Sequence, residues 1–291
     1  MTTAPSVPTP TVRDDAARRR GVGWFLVLAF GASWVPWAIV WAAGYSLDDP
    51  IVQLLTAAFV PALAAIVTRR WITREGFADA GLRLRLSTGW SSYSIAALLP
   101  IGILVTASML AAATGVWDVA EWQFGRDDLV FVAVALVVPV VAAPIFWGEE
   151  FGWTAYLRDR LVPGRPVATT FATGLIWGVW HWPLPWVGYF GAGGTATDAV
   201  IAMLLWLPLS VLLEFVIGWL WSRSGSVWPS AILHGGSNLV VAVGLERFVG
   251  SGGHASAVTL LMCAAYVPVV VCIVGMSIMR ERRERTVGAE L

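Results

Sequence analysis

Glu149 and Glu150 stand side by side at the end of a strongly apolar run, in GEEFGWTAYLRDRL (148–161). Two histidines lie in comparably apolar surroundings: His181 in LIWGVWHWPLPW, four residues after Trp177, and His234 in AILHGGSNLV, four residues before Asn238. A carboxylate in an apolar site is a stronger base than in water and can take a proton from an attacking water. Imidazole and amide N–H groups suit the negative oxygen of a tetrahedral intermediate. The spacing of four puts His234 and Asn238 on one helix face. Two histidines and a glutamate are also a sufficient ligand set for a catalytic zinc, so Glu149, His181 and His234 could hold that metal, although no HExxH run is present. No Ser or Cys sits in such a constellation; Ser237 is about 100° round the helix from Asn238.

The elements that must position these groups are membrane helices. With 57% hydrophobic residues, 13% charged and 18 Trp, the composition excludes an ordinary soluble domain. Eight runs approach the length of about 20 residues that crosses a hydrocarbon core of about 30 Å: 22–43, 51–67, 93–114, 129–147, 167–186, 199–221, 227–243 and 257–279. The expectation is an all-α, polytopic membrane protein, a bundle of about eight transmembrane helices, whose second and seventh spans are short or carry polar residues. Pro144 should kink the fourth span, and Pro183 and Pro185 should end or bend the fifth.

Charge placement agrees. Every basic residue is an Arg, and seventeen of the nineteen fall on one face of such a bundle, leaving Arg126 and Arg247 on the other. The positive-inside rule then puts both termini in the cytoplasm of a multi-pass protein of the cell (plasma) membrane. Residues 1–21 read as a disordered cytoplasmic tail, and the apolar run after it is too long for a signal peptide. Cys263 and Cys272 share one span and imply no disulfide framework. With zero formal charge and the Arg spread along a membrane face, the partners expected are the lipid bilayer and a peptide or protein substrate at the membrane, with no nucleic acid.

A charged side chain well inside a bilayer costs roughly 2.5 to 3.5 kcal/mol on insertion scales, so such residues are paired or functional. Here they cluster: Glu149 and Glu150, His181, Glu214 and the His234/Asn238 pair lie on four separate spans at similar depth. Glu214 reads as a structural hydrogen-bond or salt-bridge partner. The Trp residues at 177, 180, 182 and 186 read as packing and interface residues, with lining of a pocket wall as the second reading, and His254, in GSGGHAS, as exposed.

The double glutamate followed by Gly-Trp and Tyr-Leu, the aromatic ahead of a His, and the HxxxN run after a turn ending in GSVWP together resemble the CPBP family of intramembrane proteases, the CAAX proteases and bacteriocin-processing enzymes also called Abi. The match covers about 129–243, which would be the catalytic core, with 22–128 as N-terminal transmembrane helices and 244–291 as a last helix and basic cytoplasmic tail. The resemblance implies an endopeptidase in which Glu149 and His181 activate water, Glu150 supports Glu149, and His234 with Asn238 steadies the oxyanion; both zinc-dependent and metal-free mechanisms are argued for the family. One position departs: where the family's EExxxR has Arg, this chain has Thr154, so Glu150 needs another partner, with Arg158 too far along the helix to pair without a bend or a water. Two alternatives share the residue pattern. One is a catalytically silent relative acting as a membrane binding or immunity protein; the other is a transporter using the polar cluster as a proton relay.

Overall fold

Apolar chain in hydrocarbon must satisfy its backbone hydrogen bonds within each segment, which selects helices. A computed structural model of the protein, describing residues 15–45, 49–187, 195–249 and 255–289, contains eight helices and, among the described residues, no strand. They are α1 (Asp15–Ala42), α2 (Pro50–Ile72), α3 (Leu86–Ala113), α4 (Arg126–Leu161), α5 (Pro166–Trp180), α6 (Ala196–Ser224), α7 (227–249) and α8 (Ala255–Ala289). The protein is a multi-pass, all-α membrane protein.

Six of the eight, all but α5 and α7, are long and apolar enough to cross a membrane. The exceptions have physical causes. α5 has 15 residues and stops at Trp180, just ahead of Pro183 and Pro185, so it rises only about 22 Å. In α7 the run from His234 to Asn238 dilutes the apolar content. The second span, which reads as doubtful in the sequence, is a full helix of 23 residues. α1 begins at Asp15, inside the segment read as a tail; residues 1–14 and His254 lie outside the described residues. α4 stays helical through Pro139 and Pro144.

Three helices widen into π-turns: α2 over Leu54–Ala58 and Thr68–Ile72, and, beside their polar residues, α4 over Trp153–Arg158 and α7 over Ser237–Ala242. Such insertions recur at functional sites. α7 packs on α4, α3 and α6, while α5 lies on α6 and α8 on α6 and α3. α2 crosses α4 at Gly148 and Gly152: a Cβ at Gly148 would stand 2.0 Å from the Ala58 carbonyl oxygen, so only glycine lets the two backbones approach there.

The Arg-rich ends of the helices meet. Arg18 donates to the carbonyl of Arg160, Arg20 to that of Ile72, and the Trp228 indole to that of Leu82. Below the glutamates, Arg69 and Arg160 share Glu75 and Asp79 in a buried network with N–O distances of 2.7 to 3.4 Å. The same two guanidinium groups donate to the Ala155 and Tyr156 carbonyls of the π-turn. At the opposite end Arg247 pairs with Asp128 at 2.8 Å.

Candidate active site

Consecutive residues on a helix diverge by about 100°, so the two glutamates face different neighbours. Glu149 is half-buried and turns to α5, where its Oε2 accepts the Trp177 indole N–H at 2.9 Å. Glu150 is buried and turns to α7, where its Oε1 meets His234 Nδ1 at 2.8 Å. Its other oxygen, Oε2, accepts the Thr154 hydroxyl one turn along α4 at 2.6 Å.

Thr154 therefore answers the question its position raises, because its hydroxyl and His234 supply Glu150 with two partners. Arg158 does not reach Glu150. It lies between α4, α5 and α6, contacting Asp159 Oδ1 and Thr170 Oγ1, each at 3.2 Å, and Glu214 Oε1 at 3.6 Å. Glu214 is thus a partner of Arg158, in keeping with its reading as structural. Gly218 makes room for this crossing, since a Cβ there would stand 2.4 Å from Arg158 Nε.

His181 closes α5. Its Nδ1 lies 2.8 Å from the Trp177 carbonyl, which can only accept, so Nδ1 carries a proton and Nε2 is the ring's other nitrogen. The ring packs against Trp177, Trp180 and Trp206, and His234 stands between Phe146 and Trp177, at centroid distances of 4.8 to 5.3 Å. Asn238, in the α7 π-turn, is half-buried, and its carboxamide makes no hydrogen bond to another described residue. The preceding Ser237 accepts the Tyr266 hydroxyl of α8 at 3.3 Å.

The structure therefore pairs Glu150 with His234 directly and joins Glu149, His181 and His234 through Trp177, with Thr154 as the second partner of Glu150. The HxxxN spacing brings Asn238 to the same helix as His234, without a hydrogen bond to the other four. The zinc set fares differently. Among the described residues no three His, Cys, Asp or Glu side chains converge as metal ligands. The Glu149–His181–His234 zinc site is not supported by this donor geometry.

Residues 128–240 match the family model described as Type II CAAX prenyl endopeptidase Rce1-like. No curated protein matches the chain. The matched stretch holds all five residues of the resemblance, Glu149, Glu150, His181, His234 and Asn238, and leaves α1 to α3 and α8 outside it. The segment from α4 to the π-turn of α7 is thus similar to the CAAX protease, or CPBP, family.

Proposed function

We propose that the protein is an intramembrane endopeptidase of the cell membrane, with both termini cytoplasmic, that hydrolyses a peptide bond of a membrane-associated substrate. The observation that carries this reading is the convergence of Glu149, His181 and the Glu150–His234 pair, from three helices, around one tryptophan inside the bundle. Glu150 lies about 16 Å of helix from the Arg-rich end of α4. The groups have the chemistry for hydrolysis in order. A water held by Glu149 and His181 gives a proton to the Glu149 carboxylate while its oxygen attacks the carbonyl carbon. Glu149 then passes that proton to the departing amine as the C–N bond breaks.

His234 and Asn238 serve the oxyanion. Burial inside a bilayer favours a Glu150–His234 pair with zero net charge. Both ways of placing the shared proton, on Glu150 Oε1 or on His234 Nδ1, leave the second imidazole proton on Nε2. His234 thus presents an N–H donor in either form, and Glu150 acts by orienting it. The Asn238 amide is the second donor.

The test compares purified protein in detergent with Glu149→Gln on a library of fluorogenic membrane-peptide substrates. Cleavage by the parent and its loss in the variant support the reading. No cleavage by the parent, with binding of the same peptides retained, would favour the silent relative; equal cleavage by both would remove Glu149 from the chemistry.

A further inference from the structure

Trp177 is 2% exposed, too deep to serve as an interfacial anchor, and it touches three of the polar groups at once. Its indole N–H donates to Glu149 Oε2 at 2.9 Å, and its carbonyl accepts from His181 Nδ1 at 2.8 Å. Its ring stands edge-on to His181 and His234, at 5.3 and 5.1 Å. Among the described residues no other ring pairs with both histidines.

Each contact removes a freedom that catalysis cannot use. Carboxylates rotate about their last torsion with little preference, so a donor on Oε2 fixes the plane in which Oε1 lies. The carbonyl sets the tautomer of His181, with the proton on Nδ1 and Nε2 as the basic nitrogen. A phenylalanine at the same place would keep an aromatic ring and the carbonyl but would have no N–H for Glu149.

We infer that Trp177 is a positioning residue that holds Glu149 and His181 in mutual register through its side chain and main chain respectively. The inference rests on the endopeptidase reading for its kinetic consequence and on geometry for the bond itself.

The experiment uses the full-length protein and Trp177→Phe, with Trp37→Phe as a control. Trp37 is equally buried, and its indole donates to Thr56 at 2.8 Å, so its substitution also loses one buried indole hydrogen bond. Infrared difference spectra between each protein and its Glu149→Gln counterpart isolate the Glu149 carboxylate band. Trp177→Phe should displace that band and lower kcat about tenfold or more, with KM within about twofold. Trp37→Phe should lower thermal stability by a similar amount and leave both band and kcat in place. In a Glu149→Gln background the Trp177→Phe effect on residual turnover should vanish.

An unmoved band overturns the inference whether or not the protein cleaves anything. An unchanged kcat beside a displaced band overturns the catalytic role and leaves only a structural bond. A displaced band in a protein without turnover overturns the endopeptidase reading and keeps Trp177 as the holder of Glu149.

Discussion

Thr154 donates its hydroxyl to Glu150 across one helical turn, at 2.6 Å, in the place where the family motif carries an arginine. A charged partner for Glu150 is thereby replaced by a neutral one, and the imidazole of His234 carries the rest. Thr154→Val keeps the shape and leaves a buried carboxylate oxygen unpaired, which should cost about 1 to 3 kcal/mol. Thr154→Ser should restore most of it. Thermal unfolding in detergent, followed with peptide cleavage, checks both; a valine variant as stable and active as the parent would show that the hydroxyl is idle.

Gly218→Ala pushes a methyl group into the Arg158 guanidinium, which Asp159 and Thr170 hold in place. The expected loss is about 1 to 3 kcal/mol from overpacking, together with separation of Arg158 from Glu214. Adding Glu214→Gln to the alanine variant should cost less than Glu214→Gln does alone, and unfolding midpoints of the four proteins decide it.

The buried network of the α2–α3 loop makes stability depend on pH. At Asp79 burial raises the carboxyl, but the hydrogen bond and charge of Arg69, with Arg160, outweigh it and hold the group below its usual range. At Glu75 burial prevails over the charges of Arg160 and Arg69 and holds the group above it. The depressed Asp79 contributes stability above its unfolded value of about 3.9, lost as pH falls through the folded one. The raised Glu75 acts in the opposite sense. The folded protein keeps that proton after the unfolded chain has released it, so stability declines as pH rises from about 4.3 through the folded value. Glu75→Gln should abolish that decline. Asp79→Asn should lower stability at neutral pH by about 3 to 5 kcal/mol and flatten the acid-side loss. Unfolding temperatures across the acidic range distinguish these outcomes.

Cleavage should be insensitive to chelators. Glu149, His181 and His234 do not converge as ligands, so added EDTA or phenanthroline should leave initial rates within about twofold, and added zinc should not raise them. Loss of activity with chelator and recovery with zinc would require a rearrangement that brings the three together.

Much of the architecture was legible because its signals are compositional. Apolar runs marked the places of all eight helices, of which α5 and α7 fall short of a full span, and the Arg placement anticipated that Arg18, Arg69, Arg160 and the start of α7 would share one end. Pro183 and Pro185 correctly warned of the end of α5. The π-turns left no such mark, since α4 is apolar nearly all round and carries no periodicity that a widened turn could interrupt. The glutamates were found from their cost in hydrocarbon, but their separate neighbours were not, because those depend on which helices flank α4. Trp177 looked like packing because an indole's packing surface and its one donor come in the same residue. The destination of Arg158 was hidden in Gly218, a residue 60 positions away whose meaning appears only when α6 is set against α4.

The π-turn of α4 is a shift of phase. On its early side the helix is timed to α5 and α7, so that Glu149 and Glu150 meet Trp177 and His234; on its late side it is timed to the α2–α3 loop, so that Arg160 meets Glu75 and Asp79. No uninterrupted α-helix keeps both appointments. Deleting any one residue between Trp153 and Arg158 would return the helix to a single rhythm, turning one half by about 100° against the other. The chain would then have to give up either its carboxylates' neighbours or its arginines' anchor, so this short stretch should tolerate substitution better than any change of length.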